Sequence, residues 1–222
     1  MRLFALLMVA MFASVSQAQT TVPGGTYQGT VRWTKAMSPI TVTRPINLYG
    51  TLIVDAGVTV KMAGQTKISL YNGALSKLLI NGTASEPVTF MALDGSATGP
   101  NWSGFVVPGT RSSRPVIQIS HAYLLGLGME ANNFDFKNAD FQISDTVVSS
   151  LAAVPTGYTS AGATTNIYSG VNTASGVFTR CLFIGQTTGA IVTPGIAFVD
   201  CDFENVKYPV VGNRINISAI NY

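Results

Sequence analysis

Three carboxylates near the C-terminal end, Asp200, Asp202 and Glu204, are the residues of this 222-residue chain best spaced for acid–base chemistry. On a strand, Asp202 and Glu204 share a face about 6.5 to 7 Å apart, within the separation that an inverting glycosidase pair requires. A solvated strand face accounts for the same residues. Asp140, expected in the column of Asp202 but about three rungs or roughly 14 Å away, is too distant to act with it. His121 is the only histidine, which excludes a nucleophile triad. Four aromatic residues, Trp33, Tyr49, Trp102 and Tyr123, could stack on the apolar faces of sugars while neighbouring amides bind the hydroxyls. Tyr49 and Tyr123 are the ligand-binding candidates, since Trp102 sits in a Trp-x-Gly-apolar step expected to pack against a turn.

The elements that must position these residues are short. Runs such as Ile40 to Thr43, Thr51 to Val54, Val58 to Lys61, Lys77 to Ile80 and Val116 to Ile119 are β-branched or aromatic and bounded by turn formers. No window holds apolar residues at helical spacing over the length a helix needs. The chain is therefore expected to be all-β. Four segments share one pattern, apolar-x-x-(Ala or Cys)-x-apolar: Ile119 to Leu124, Phe136 to Phe141, Phe178 to Phe183 and Phe198 to Phe203. The small residues, Ala122, Ala139, Cys181 and Cys201, give a period of about 20 once one rung is allowed in the longest gap, and a fixed period of that size marks a solenoid. A straight strand cannot place all three pattern positions on one face, whereas two strands meeting at a tight corner can. Asn138 and Asp200 fall at that corner, where residues tolerant of left-handed backbone are favoured. The expected inward ladders are Ala122, Ala139, Cys181 and Cys201, flanked by Leu124, Phe141, Phe183 and Phe203.

This geometry settles two further questions. A zinc site from His121, Cys181 and Cys201 fails, because the cysteines point inward and the histidine lies at an outer corner on another coil. Neither a metal nor a cofactor is expected. Cys181 and Cys201 should stand in register on adjacent coils, either as small buried ladder residues or as a disulfide, although the side-chain direction between parallel rungs suits the disulfide torsion poorly.

The stretch from Gly50 to Val60, followed by Leu79 to Phe90 and Asn101-Trp-Ser-Gly-Phe105, resembles the opening coils of secreted right-handed parallel β-helix proteins with a pectin-lyase-like fold. The resemblance spans roughly residues 40 to 210. It implies a single-stranded right-handed parallel β-helix over residues 40–222; residues 19–39, with Pro23-Gly24-Gly25 and Trp33, read as an N-terminal cap or edge segment, and 149–176, rich in Ser, Thr, Ala and Gly, as a lateral loop or an irregular coil. That family includes polysaccharide lyases, glycoside hydrolases, adhesins and phage tail proteins. Its lyases hold calcium with a carboxylate cluster beside an Arg or Lys base, and its hydrolases carry Asn-Thr-Asp, Asp-Asp and His-Gly steps. None of these is present here, and Arg214-Ile215-Asn216 lacks the Lys of the hydrolases' Arg-Ile-Lys, so no catalytic residue carries over.

Residues 1–18 read as a secretory leader: Arg2, the apolar run Leu3 to Val15, and a Ser16-Gln17-Ala18 cleavage site. The thirteen-residue apolar run is too short to span a bilayer, and no later window approaches the roughly twenty residues required. Beyond the leader, 12 basic residues face 10 acidic ones without runs, which excludes an electrostatic grip on nucleic acid. Only Thr41-Val42-Thr43 resembles an ice-binding repeat, and it stands alone. Asn-x-Ser/Thr sequons begin at Asn81, Asn101 and Asn216. The expectation is a secreted structural or binding module that presents a polar, uncharged face to a polysaccharide, a surface glycan or a protein partner. A polysaccharide-cleaving enzyme using Asp200, Asp202 and Glu204 is the second reading. The third is a subunit of an extracellular filament or phage appendage, stacked through the edge near Ile215 to Tyr222.

Overall fold

Alternation of buried and exposed positions in five-residue strands, such as Thr51–Asp55, Lys77–Asn81 and Val116–Ser120, turns one face of each inward and leaves the other to solvent. The computed structural model describes residues 19–71, 73–94, 102–108, 114–127, 134–136, 139–149, 167–168, 175–184, 188–192, 196–204, 208–212 and 216–221. The expected leader, residues 1–18, lies outside the described residues.

Strands come in threes. Coil one is β1 (Thr20–Val22), β2 (Gly25–Tyr27) and β3 (Thr30–Trp33); coil two is β4 (Ile40–Val42), β5 (Ile46–Leu48) and β6 (Thr51–Asp55). Coil three is β7 (Thr59–Met62), β8 (Ile68–Leu70) and β9 (Lys77–Asn81); coil four is β10 (Val88–Ala92), β11 (Phe105–Val106) and β12 (Val116–Ser120). Coils five and six follow as β13 (Ala122–Leu124), β14 (Phe134–Asp135), β15 (Asp140–Ser144), then β16 (Val147–Ser149), β17 (Ile167–Tyr168), β18 (Ser175–Thr179). The last two share a strand: β19 (Leu182–Ile184), β20 (Thr188–Val192), β21 (Ile196–Glu204), β22 (Tyr208–Gly212) and β23 (Asn216–Asn221).

Every strand pairing among the described residues is parallel and joins a strand to its counterpart one coil away. The result is a parallel β-helix with three faces. Face A stacks β1, β4, β7, β10, β13, β16, β19 and the second half of β21; face B stacks β2 through β22; face C stacks β3, β6, β9, β12, β15, β18, the first half of β21 and β23. Because β21 runs unbroken round the corner, faces A and C are one continuous sheet.

Three expectations need correction. The segment 19–39 contains a complete coil, with Thr20 paired to Ile40, Gly25 to Ile46 and Thr30 to Thr51, so the solenoid begins at Thr20 and not at residue 40. Coil length is 20 residues at both ends, where Thr20 meets Ile40 and Leu182 meets Asp202, but Val88 meets Ala122 and Val147 meets Leu182 at much longer intervals. Insertions at the corners lengthen the middle coils while the strands keep register. Of the segment 149–176, expected as a lateral loop or an irregular coil, Ser149, 167–168 and 175–176 are described, and they belong to β16, β17 and β18.

The third correction concerns the repeat. Phe136 to Phe141 is not a copy of the corner; the missing rung is Ile143-Ser-Asp145-Thr146-Val-Val148, with Ile143 opposite Ile119 and Phe178, and Val147 opposite Tyr123 and Leu182. The small column therefore reads Ala122, Thr146, Cys181, Cys201, and Ala139 lies outside it, where its carbonyl accepts a bond from Ser175 N–H. Beside it run Leu124, Val148, Phe183 and Phe203, all buried, while Phe141 stacks in the other inward column with Ile117 and Gly176.

The corner itself has one conformation. His121, Asp145, Arg180 and Asp200 have φ of 45°, 52°, 50° and 51°, the left-handed region, on four successive coils. One residue in that region swings the chain from face C to face A, which is how the parity break of the repeat is made. Asn138, expected at this corner, lies outside the described residues. Inside, aliphatic columns fill the N-terminal coils and rings fill the C-terminal ones: Phe178 stacks on Phe198 at 5.1 Å and Phe183 on Phe203 at 4.8 Å. Each such buried side chain contributes about 1.5–3 kcal/mol of transfer free energy.

Candidate functional site

The outward side of face C carries a concavity. Its lining comes from β12, β15 and β18: Val116, Gln118, Asp140, Gln142, Ser175 and Val177 surround about 360 Å³. A second hollow of about 250 Å³ shares Gln118 and Gln142 and continues past Asn81, Ser120 and Ser144. Together they form a shallow groove, roughly 13 Å along the strands and about 10 Å across three rungs.

Register builds the lining. Gln118 lies directly opposite Gln142, and Ser120 lies opposite both Asn81 and Ser144, so like groups form rows along the helix axis. Each residue points outward because its neighbours Ile117, Ile119, Phe141 and Ile143 are buried in the core. The groove offers amide and hydroxyl groups, which both donate and accept. Its single carboxylate, Asp140, is paired with Arg114 at 2.8 Å, leaving that end of the groove nearly neutral.

Along one edge runs the corner column. Arg180 donates from Nε and Nη2 to the two oxygens of Asp145, both at 2.7 Å, and His121 Nε2 lies 3.9 Å from Asp145. The hydrogen bonds from Arg180 hold the Asp145 carboxyl below its ordinary value, and Asp145 in turn raises the Arg180 guanidinium. Beyond this corner, on face A, Thr83, Ala84, Pro87, His121, Tyr123 and Asp145 enclose a nook of about 100 Å³.

The residues singled out from sequence are dispersed. Asp202 and Glu204 stand two apart on β21 facing outward, as expected, but on face A opposite Leu182 and Ile184, and Asp200 is an exposed corner residue. None of the three lines the groove. Asp140 is not in the column of Asp202; it pairs with Val116 and Ser175 on face C, because the corner between residues 144 and 147 separates the two ladders. Tyr49 is exposed, but the ring of Tyr71 one coil on stacks against it at 5.4 Å and 10°, covering one of the faces a sugar would need. Tyr123 is half-buried at the nook, on a different face from Tyr49. Trp33 and Trp102 are core residues, and Trp102 Nε1 donates to the Leu125 carbonyl at 2.8 Å, the turn contact expected of it.

Cys181 and Cys201 are in register, buried, and free thiols. Cys181 Sγ lies 3.4 Å from the Ile143 carbonyl and Cys201 Sγ 3.5 Å from that of Phe178. A shared hydrogen bond with Cys201, and burial, push the Cys181 thiol well above its ordinary value, so it stays protonated and inert. Among the described residues no three His, Cys, Asp or Glu side chains gather where they could hold a metal, and no helix is long and apolar enough to cross a membrane.

Gln118, Gln142, Ser120 and Ser144 were not singled out from sequence, yet a signal was there. Ile117-Gln-Ile-Ser120 and Phe141-Gln-Ile-Ser144 repeat one apolar-Gln-Ile-Ser word. That word marks both the groove and the rung the corner pattern missed. Compared with protein-family models, curated proteins and solved structures, the chain matches none.

Proposed function

We propose that this protein is an extracellular β-helix module that binds a neutral polysaccharide or surface glycan in the groove of face C. The observation that carries this reading is the row of in-register amides and hydroxyls, Gln118 and Gln142 beside Asn81, Ser120, Ser144 and Ser175, in one continuous hollow. Sugar hydroxyls need partners that donate and accept at close spacing, and a rung interval of about 4.8 Å repeats those partners along an extended chain. Each such bond contributes only about 0.5–1.5 kcal/mol net, so useful affinity needs several sugars bound at once, which an open groove permits. The leader-like residues 1–18 support action outside the cell. The resemblance of Gly50 to Val60 and Leu79 to Phe90 to pectin-lyase-like proteins supports a polysaccharide as the ligand.

The dispersal of the carboxylates favours binding over cleavage. Asp200, Asp202 and Glu204 lie outside the groove, and Asp140 is held by Arg114. The test is a glycan array on residues 19–222, run with analysis of new chain ends on the same polysaccharides, with and without calcium. Binding without new ends is expected, and Gln118→Ala with Gln142→Ala should weaken it about tenfold or more, the loss of about 1.4 kcal/mol. New chain ends abolished by Asp202→Asn would replace this reading with the enzymatic one.

A further inference from the structure

The two ends of the solenoid are alike in geometry and opposite in charge. At the N-terminal end β1, β2 and β3 each pair with one neighbour only among the described residues. Their internal bonds reveal which groups face outward. Gly25 N–H donates to Pro45 and the Tyr27 carbonyl accepts from Tyr49, so both turn toward coil two, and Thr26 between them turns its backbone groups to the open side. By the same logic Thr20 and Val22 bond inward and Thr21 faces out, and the Gly29 carbonyl bonds inward and Thr30 faces out. Thr21, Thr26, Thr30 and, by the same alternation, Arg32 thus occupy the outward edge positions. At the other end β22 and β23 are the last strands of their ladders among the described residues. Strands of the same direction, arriving in the same order of faces, extend those ladders in register. The first coil of a second copy supplies that set.

Charge runs along the same axis. Residues 19–92 carry six basic and two acidic side chains, and residues 93–222 carry six basic and eight acidic. No acid precedes Asp55, whereas Asp200, Asp202 and Glu204 cluster where the last coil begins, with Asp200 and Glu204 exposed. The sequence is thus net positive over residues 19–92 and net negative over 93–222, and the charged residues described in the last coil are acidic, Lys207 and Arg214 lying outside the described residues.

We propose that the protein associates head to tail, the first coil of one copy continuing the last coil of the next. Such a contact is heterologous and does not close, so it grows as a filament and not as a dimer. It rests on end geometry and charge alone and does not depend on the groove.

Sedimentation velocity on the chain without residues 1–18, which retains every described strand, tests this. In low salt the mean mass should climb steadily with concentration, without stopping at two copies, and should fall in high salt as the charges are screened. Thr26→Pro removes an outward N–H that no internal bond uses, a position where an edge strand tolerates proline, and should hold the protein monomeric. Glu204→Lys reverses one charge at the opposite end and should weaken association several-fold, roughly the effect of one charge pair; it carries the test should Thr26→Pro lower the melting temperature. A monomer at every concentration, a mass that stops at two copies, or growth that neither variant slows overturns the proposal.

Discussion

Asp145 is the residue on which the corner column turns, since it is bonded twice by Arg180 and approached by His121. Its carboxyl is depressed in the folded state by those hydrogen bonds, so the stability it contributes is present above its unfolded value, near 3.9, and is lost as pH falls through the folded value. Asp145→Asn should therefore lower the melting temperature at neutral pH and make no difference in strong acid, where the wild-type carboxyl is protonated too. Thermal unfolding of both proteins across that range checks the sign, with His121 and Asp200 as the titratable neighbours common to both. The effect should be modest, because the Arg180 side chain is 57% exposed and surface pairs are screened by water and salt.

Between coils, strands are held by what faces them one rung away. Gly176 is the plainest case: a Cβ there would come within 2.5 Å of the Phe141 ring, so glycine makes room for a ring from the preceding coil. Gly176→Ala should destabilise by about 1–3 kcal/mol in urea unfolding, an overpacking cost, and Phe141→Leu in the same chain should recover part of it. At this level, legibility from sequence depended on which residues carried the pattern. The all-β class, the parallel coils and the 119–124, 178–183 and 198–203 corners were readable because the same parity break recurs in each. Ile143 to Val148 escaped because Thr146 replaces Ala or Cys, and Phe136 to Phe141 fitted the template by chance although its two apolar ends belong to different columns. The first coil reads as a cap in the sequence because Pro23-Gly24-Gly25 and Gly29 obscure its strands, which are only three or four residues long. The groove was passed over for a different reason. Chemistry was sought in carboxylates and aromatics, whereas the residues that register aligns are glutamines and serines, whose meaning emerges only once Gln118 and Gln142 are known to be neighbours.

For the whole molecule, stacking in one dimension sets how stability is distributed. Each coil pairs its strands only with adjacent coils, so the interior coils, buttressed on both sides, should unfold last. Hydrogen exchange should find the slowest amides in β6, β9 and β12 of face C and the fastest in β1 to β3 and β22 to β23. Equal protection from end to end would mean that the solenoid unfolds as a single cooperative block.

The corner from face C to face A narrows along the chain to one or two residues, from β12–β13 onward, and in β21 the strand simply continues round it. The extra length of the middle coils falls instead between β10 and β11, β11 and β12, β13 and β14, and on either side of β17. One edge of the prism thus acts as a spine and the opposite side as a tolerant margin. Foreign peptides grafted between β13 and β14 or between β16 and β17 would therefore enter at a chosen height along the stack of coils. A single residue inserted between Ser144 and Val147 would push the side chains of β16 out of their columns, because that strand follows the corner at once.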